Sequence, residues 1–221
     1  LGQLSIGGKG NYGIAASAVP YSENLLTYLR ITDISDQGTL KKDSLMSVAD
    51  ANAEKYLLKP NDIVFARTGN STGRNYFYDG SDGNFVYAGF LIRFSLDRKK
   101  VNPRYIKYYC QSAQYWDWVQ SFNTGSTRGN INAQTYANME ILLPARKQQD
   151  FLVRVLSPID EKIRLNQKIN ENLLQQATVL YEHLLQDSEW PTATILDVAE
   201  KVAMGPFGSN IKVSTFVPEG V

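Results

Sequence analysis

A ladder of residues with alternating spacings of four and three runs through residues 146–186 and limits the possible folds more than any other feature. These spacings average 3.5 residues, so the positions follow one narrow seam of a helix that pairs with another helix. A helix buried inside a globular core would show a wider apolar stripe. The alternative to a paired helix is an ordinary surface helix packed on its own domain. The two asparagines of the seam lower stability but penalise every register that leaves them without polar partners. We therefore predict a coiled-coil spacer whose helix-pairing residues are Leu152, Leu156, Ile159, Ile163, Asn166, Asn170, Leu173, Ala177, Leu180 and Leu184.

A proline within this segment predicts a break. Ser157, Pro158 and Asp160 fit the N-cap, the first residue and the N3 acid of a new helix, since proline at that position lacks only an N–H that would have no partner anyway. We therefore expect a short helix near residues 147–156 and a longer one from residue 158 to about residue 186.

Length and composition fit a globular protein. A chain of 221 residues with 43% hydrophobic content can form one medium domain with an appendage, or two small domains. The single cysteine, Cys110, rules out an internal disulfide, and no apolar run is long enough to span a membrane, so we expect a cytoplasmic protein. The sequence starts without methionine and shows no signal-peptide pattern, which favours a fragment.

The first 145 residues mix strand and helix signals and predict an α+β fold class, a mixed α/β domain followed by the long helix. The predicted helix begins near Pro103 and ends near Gln120. Tyr76, Phe77 and Tyr78 are expected to alternate along a strand, with the phenylalanine in the core and both tyrosines facing outward. The other predicted strands are Leu26–Ile34, Asp62–Ala66, Phe85–Ala88, Phe90–Phe94 and Met139–Leu143.

The end of the sequence echoes its start. Residues 195–209 repeat the apolar tetrapeptide and the glycine-containing turn of residues 1–14. Such an echo indicates a repeat of domain plus helix, although chance similarity between short glycine-containing segments is the alternative. The predicted parts are a domain at 1–145, a helical spacer at 146–186, and a linker with the truncated start of a second domain at 187–221.

The sequence offers little for catalysis. Its one histidine, His183, lies on the predicted long helix, and one histidine with one cysteine does not form the usual zinc site. No phosphate-binding G-x-x-x-x-G-K-[ST] loop is present. The acid-x-Lys triplets at Asp160–Lys162 and Asp97–Lys99 match a fragment of many Mg-dependent nucleases, but such triplets are common by chance. We predict no catalytic residue, no metal site and no cofactor in this chain.

Two polar loops, at 67–76 and 124–132, have the composition of a DNA-contacting surface. Arginine reads guanine through two hydrogen bonds, asparagine reads adenine, and hydroxyl and backbone N–H groups hold phosphates. Residues 1–145 are mildly basic, with 15 Lys and Arg against 12 Asp and Glu, although the whole chain carries a net charge of only +1. For the second loop, a hydrogen-bonded turn is the alternative. The predicted DNA-binding residues are Arg67, Thr68, Asn70, Arg74, Asn75, Tyr76, Ser126, Thr127, Arg128 and Asn130, with Lys9, Tyr12 and Arg30 as additional phosphate contacts.

These residues resemble the DNA specificity (S) subunits of Type I restriction-modification systems. Leu29–Ile34 looks like the family's "I-R-x-x-D-I" strand, Asp62–Gly69 like its "G-D-I-L-x-x-R-x-G" turn, and Gly125–Asn132 like its "G-S-x-x-x-x-I-N" loop. Leu143–Asn170 is similar to the more specific spacer pattern "P-L-P-x-x-x-Q-x-x-I-x-x-x-L-x-x-x-D-x-K-I-x-x-N". The chain departs from the familiar "P-L-P-P-L-x-E-Q" at residues 142–149, which read LLPARKQQ.

The resemblance implies a target recognition domain and a helical spacer, normally present twice and paired antiparallel. Each domain would read one half of a split DNA sequence, and the helices would set the gap. Two methyltransferase subunits with S-adenosylmethionine would methylate adenine, and a translocating restriction subunit would complete the nuclease. The partner helix would come from the same, longer chain or from a dimer mate.

Two alternatives come from other functional classes. One is a small Mg-dependent nuclease or a stand-alone DNA-modifying enzyme, which would act without other subunits. The other is an architectural coiled-coil dimerisation protein, which would show no preference among DNA sequences.

Overall fold

A computed structural model describes residues 1–122, 129–186 and 190–200 of the chain. It separates into two units, Leu1–Glu161 and Lys162–Val221, which are described in turn. The described helices include none that is both long and apolar enough to cross a membrane. The strands are β1 (Asn11–Tyr12), β2 (Ala18–Val19), β3 (Leu26–Leu29), β4 (Met46–Val48), β5 (Asp62–Ala66), β6 (Asn75–Tyr78), β7 (Phe85–Tyr87) and β8 (Leu91–Ser95), and the helices are α1 (Pro103–Tyr109), α2 (Ala113–Gln120), α3 (Ala133–Ala137), α4 (Arg146–Gln186) and α5 (Ile195–Val198).

The first unit contains two four-stranded sheets, which confirms the predicted α+β class. One sheet has the order β1-β8-β5-β6 and is antiparallel throughout. The other has the order β2-β4-β3-β7, with β3 and β7 parallel. A short 3₁₀ turn at Gly2–Leu4 precedes β1, and others at Ile31–Asp33, Ala53–Tyr56 and Gly69–Ser71 lie between strands.

The central strand β5 supplies side chains to two hydrophobic clusters. All five of its residues are buried. Ile63 and Phe65 pack into a cluster with α1 and α2, while Val64 and Ala66 pack into a second cluster with β3 and β7. A continuous apolar run is typical of a strand buried on both faces, and the predicted bounds of this strand are confirmed.

Hydrogen bonds of side-chain hydroxyl groups explain why two predicted elements, a helix and a strand, do not form as expected. The helix predicted from Pro103 to Gln120 is two helices, because the Ser112 hydroxyl accepts a hydrogen bond from the Tyr115 N–H and starts α2 afresh. No strand forms at Met139–Leu143, so that prediction is wrong. The carbonyl groups of this segment accept hydrogen bonds from tyrosine side chains instead of from a neighbouring strand, at 3.1 Å from Tyr109 to Glu140 and 2.6 Å from Tyr105 to Leu142.

The remaining predicted strands differ in their ends or in the burial of their side chains. The strand predicted at Leu26–Ile34 ends at Leu29 and continues as the 3₁₀ turn Ile31–Asp33, and β7 and β8 differ from prediction by one residue at their ends. Tyr76 and Tyr78 do not face outward, since both are buried in the second cluster beside β3.

Helix α4 runs without a break from Arg146 to Gln186, so the two separate helices expected around Pro158 are wrong. A proline inside a helix removes one hydrogen bond and costs about 3 kcal/mol. Polar contacts from α1 lie on both sides of the proline: the Tyr108 hydroxyl lies 3.2 Å from the Ser157 hydroxyl and donates to Asp160 at 2.9 Å.

A buried glutamine holds the first turn of α4 against the domain. The Gln149 side chain accepts a hydrogen bond from the Asn102 N–H at 2.9 Å and donates one to the Pro144 carbonyl at 2.8 Å. Gln149 is the only buried residue along the described helix α4. The beginning of α4 is therefore fixed by polar contacts of defined geometry.

The second unit contains the rest of α4, and its described helical residues from Lys162 to Gln186 are all exposed. Its apolar stripe is wider than the predicted narrow seam, because further exposed apolar side chains directly precede or follow seam positions. They are Leu165, Ile169, Leu174, Val179, Tyr181 and Leu185. Pairing of this helix stays a prediction.

The segment predicted to restart the domain forms one helical turn. Thr194 and Asp197 build a reciprocal capping box at the start of α5. The corresponding residues Gly2–Leu4 also form a helical turn, as a 3₁₀ helix. Residues 201–221 lie outside the described residues, so the repeat stays a prediction.

Replacing Gln149 with alanine tests the anchor of α4. The substitution leaves the Asn102 N–H and the Pro144 carbonyl without their partner, and an unsatisfied buried polar group costs about 1–3 kcal/mol. We expect the free energy of unfolding, measured by urea titration, to fall by about 2 kcal/mol. Lys147→Ala, at an exposed neighbour, is the control and should change it by less than about 0.5 kcal/mol. Equal effects of both substitutions would contradict the anchoring role.

Candidate nucleic-acid interface

The two polar loops meet at one end of the first sheet, where β5 ends and β8 begins. The Arg67 N–H donates to the Phe90 carbonyl at 3.0 Å, and the Ile131 N–H donates to the Arg67 carbonyl at 2.9 Å. The next residue, Thr68, pairs with Asn130 in an isolated antiparallel bridge. The backbone of β5 is thus extended between two segments that are distant in sequence.

Thr72 also connects the two loops, although the sequence did not single it out. Its hydroxyl lies 2.8 Å from the Gly69 carbonyl and 2.9 Å from the Gly129 carbonyl. Gly73 follows with a φ of 90°, and a Cβ atom there would lie 2.5 Å from the Val119 side chain. The loop therefore turns sharply because only glycine fits beside α2 in this backbone conformation.

Arg67 is a predicted contact whose charge is not neutralised by an acidic side chain among the described residues. Its guanidinium carbon lies 5.1 Å from the centre of the Tyr12 ring, a cation–π contact. Its Nε atom is buried without a hydrogen-bond partner in the described part of the chain. Arg67 also forms none of the ion pairs among the described residues. The terminal Nη groups form no hydrogen bond with the described residues, so these groups, and not the buried Nε, are available to an acceptor outside the domain.

Tyr12 supports this arginine. The Tyr12 hydroxyl accepts a hydrogen bond from the Ala133 N–H at 3.1 Å, which fixes the ring under the guanidinium group. Beside the ring lies an open depression of about 450 Å³ that Lys9, Asn132 and Gln134 help to line. Tyr12 thus acts as a platform for Arg67 and as a wall of a polar depression.

Asn75 and Tyr76, both predicted to contact DNA, lie inside the domain. The Asn75 side chain donates to the Cys110 carbonyl at 2.9 Å and accepts from the Gln111 side chain at 2.9 Å. The buried Tyr76 hydroxyl donates to Asp82 at 2.9 Å, and burial raises the pKa of Tyr76. Both residues begin β6, whose side chains are all buried, so we correct their role to a structural one.

Two predicted arginines are engaged within the domain. Arg30 binds Asp33 through Nη2 at 2.6 Å and through Nε at 3.0 Å, and its Nη2 also donates to the Ser44 carbonyl. This pairing with a fully buried carboxylate makes Arg30 a structural residue and raises its pKa. The Nε of Arg74 donates to Asp36 at 2.6 Å, and the side chain is 21% exposed. Arg74 therefore mainly fixes the far end of the loop.

The other predicted contacts divide into exposed residues and residues outside the described ranges. Lys9, Asn70 and Asn130 are exposed. Ser126, Thr127 and Arg128 lie outside the described residues. In the described ranges, no group of three His, Cys, Asp or Glu side chains is arranged to hold a metal ion.

Comparison with known proteins gives one family and a consistent set of relatives. The family described as Type I restriction modification DNA specificity domain matches residues 19–175. The chain is similar to the specificity subunit of the Type I restriction enzyme HindI from Haemophilus influenzae, at 23% identity over 136 residues, 60% of this chain and 29% of that protein. It is also similar to the StySPI specificity subunit from Salmonella potsdam, at 24% identity over 167 residues, 73% of this chain and 36% of that protein.

Solved structures of two S subunits align with most of the chain. The HsdS subunit from Thermoanaerobacter tengcongensis aligns with a TM-score of 0.49 at 14% identity, covering 81% of this chain and 49% of that one. The S subunit from M. genitalium aligns with a TM-score of 0.48 at 18% identity, covering 83% of this chain and 47% of that one. The chain spans about a third of the length of the curated relatives it matches.

Alanine substitutions of Asn75 and Asn70, which lie in the same loop region, test whether the buried asparagine stabilises the domain and the exposed one does not. Asn75→Ala removes the partner of a buried carbonyl, so we expect the free energy of unfolding in urea to fall by about 2 kcal/mol. Asn70→Ala, at an exposed position of the loop, should change it by less than about 0.5 kcal/mol. A small effect at Asn75 would show that its internal hydrogen bonds do not support β6.

Proposed function

The chain belongs to the family of Type I restriction modification DNA specificity domains, and we propose that it reads one half of a bipartite DNA target for a Type I restriction-modification complex. In this proposal the domain at 1–145 recognises bases, and the helical spacer docks the methyltransferase subunits. The chain itself performs no chemistry. Its place of action is the cytoplasm, where the DNA of the complex lies.

The observation that carries the proposal is the unpaired guanidinium group of Arg67. An arginine whose donors have no internal acceptor, and whose ring platform limits its motion, is suited to two parallel hydrogen bonds. The major-groove edge of guanine offers two acceptors in the matching geometry. The exposed side chains of Asn70, Asn130 and Lys9 lie on the same loops or beside the Tyr12 platform and add polar contacts.

The affinity of the isolated domain for DNA should be modest. Each phosphate neutralised by a lysine or arginine contributes to salt-dependent binding, and several arginines of this domain are already paired with acids. Most of the affinity would therefore come from the methyltransferase subunits, with this domain supplying sequence preference.

The exposed stripe of α4 supports docking of more than one helix. The predicted seam, from Leu152 to Leu184, would pair with a second spacer helix from the same longer protein or from a dimer mate. The apolar residues next to the seam, such as Ile169 and Val179, remain available to helices of the methyltransferase subunits. Those subunits would bind S-adenosylmethionine and methylate adenine, and a restriction subunit would join the same assembly.

The two rival functions make different predictions for the purified chain. A small Mg-dependent nuclease or stand-alone DNA-modifying enzyme would cleave or methylate DNA without other subunits. An architectural dimerisation protein would leave the complete complex without sequence preference. The unpaired arginine close to the exposed residues Asn70 and Asn130 favours recognition over both.

Arg67→Ala tests the proposed interface. Loss of a bidentate contact costs about 1–3 kcal/mol, so we expect the affinity of the assembled methyltransferase for its target duplex to fall about tenfold or more, measured by gel shift. Preference at one guanine position should be lost in a random-duplex selection. Arg98→Ala, at an exposed arginine beyond the opposite end of β8, is the control and should bind as the unchanged protein does. Unchanged binding by Arg67→Ala would refute the interface.

Replacing both seam asparagines tests helix pairing. Asn166→Leu with Asn170→Leu removes the polar groups that penalise other registers. We expect a higher thermal stability of the assembly together with additional oligomers in light scattering and acceptance of other spacer lengths in DNA selection. Asn172→Leu, at an exposed position of the same helix outside the seam, is the control. A double variant that keeps one oligomeric state and one spacer length would show that these asparagines do not set the register.

A further inference from the structure

Phe90 is an exposed aromatic residue held at a fixed place beside Arg67. The residue is 58% exposed and belongs to none of the hydrophobic clusters formed by the described residues. Its backbone is fixed twice. The Phe90 carbonyl accepts from the Arg67 N–H at 3.0 Å, and the Leu91 N–H closes the preceding turn onto the Ala88 carbonyl at 2.8 Å.

The strand register places Phe90, Arg67 and Tyr12 on one face of the sheet. Ala66 is opposite Leu91 in the antiparallel pair of β5 and β8, so the next pair outward is Arg67 with Phe90. Opposite residues of an antiparallel pair share a face, and residues two apart along a strand share it as well. Ile92, two residues after Phe90, is opposite Tyr12, which puts all three side chains on the same side.

This arrangement suits the edges of neighbouring base pairs. Side chains opposite each other on paired strands have Cβ atoms about 4.5–5.5 Å apart, whereas successive base pairs rise by about 3.4 Å. An arginine on one base pair therefore brings its cross-strand neighbour to the same base pair or the adjacent one. Since the backbone of Phe90 is already ordered, presenting its ring costs little conformational entropy on binding.

We propose that Phe90 is a specificity-determining residue that contacts the C5 methyl group of a thymine next to the base read by Arg67. Thymine is the base whose major-groove edge carries a methyl group, and apolar side chains, phenylalanine among them, recognise it by contact. This inference rests on the proposed function, because it requires DNA to lie on the surface formed by Tyr12, Arg67 and Phe90, called the Arg67 surface below.

Random-duplex selection with the chain assembled with its methyltransferase subunits tests this assignment. We expect Phe90→Ala to lose the preference for thymine at one position, which adjoins the position relaxed by Arg67→Ala. Tyr21→Ala is the matched control, because Tyr21 is an aromatic residue with a similar exposure of 56% outside the Arg67 surface. Tyr21→Ala should keep both preferences. Since the Phe90 ring packs in no cluster, urea unfolding of Phe90→Ala should match that of the unchanged chain.

Removal of one methyl group from the DNA gives the second test. Replacing the thymine at that position with uracil removes only the C5 methyl group. Burying one such group is worth about 0.8 kcal/mol, so the unchanged protein should bind the uracil duplex about fourfold more weakly. Phe90→Ala should bind both duplexes equally.

The possible failures are distinguishable. If Arg67→Ala relaxes no position, the proposed interface itself is wrong. If Arg67→Ala relaxes a position but Phe90→Ala keeps the full difference between thymine and uracil, only the assignment of Phe90 is overturned. A uniform loss of affinity by Phe90→Ala on every sequence, with reduced bending of the DNA, would also overturn it, because that result identifies a wedge between base steps.

Discussion

Burial of strand β5 on both of its faces is the constraint on which the domain depends. Ile63 and Phe65 point into one hydrophobic cluster, and Val64 and Ala66 point into the other. A shift of the register by one residue would exchange the two sets, so the packing of both clusters fixes it strongly. Arg67, the first residue beyond the strand, continues the same pairing with the neighbouring segment. Its side chain is therefore positioned by the apolar contacts of the residues before it.

The same constraint orients the backbone that carries the candidate site. The Arg67 N–H and carbonyl are both used, toward Phe90 and Ile131, so the residue extends the sheet instead of starting a free loop. Thr72 and Gly73 then return the chain beside α2. Because the backbone of Arg67 is ordered before a ligand binds, its side-chain donors would lose less conformational entropy on binding.

How far the sequence predicts this structure depends on the range of the interactions involved. The bounds of Asp62–Ala66 follow from local composition, because a short apolar run between turn residues is sufficient evidence for a buried strand. The family resemblance is confirmed by the family match. The strand predicted at Met139–Leu143 failed because its carbonyl groups bond to tyrosines some thirty residues earlier in the chain, at Tyr109 and Tyr105. No pattern within the segment reveals such partners.

For the site, composition predicted the loops but not the use of each side chain. Asn75 and Arg30 have the residue types of DNA contacts, yet each satisfies a buried partner within the domain. The apolar character of Phe90 predicts a strand residue, whereas the strand register places it on the face of Arg67 and its exposure shows that it lies outside the clusters. The burial and the internal hydrogen bonds of a side chain, more than its residue type, therefore separate residues that hold the domain together from residues with polar groups still free for the proposed DNA contact.

The two parts of the long helix α4 also differ in the kind of surface they present. At its start, where Gln149 and Asp160 meet the domain, the contacts are hydrogen bonds and an ion pair, which have defined directions. From Lys162 onward the helix carries a broad exposed apolar stripe, whose burial would provide non-directional free energy in the proposed pairing. Polar groups return within that stripe at Asn166 and Asn170, where a purely apolar seam would tolerate several registers. Contacts of defined geometry are thus concentrated where the helix joins its domain, and exposed apolar area lies beyond that point.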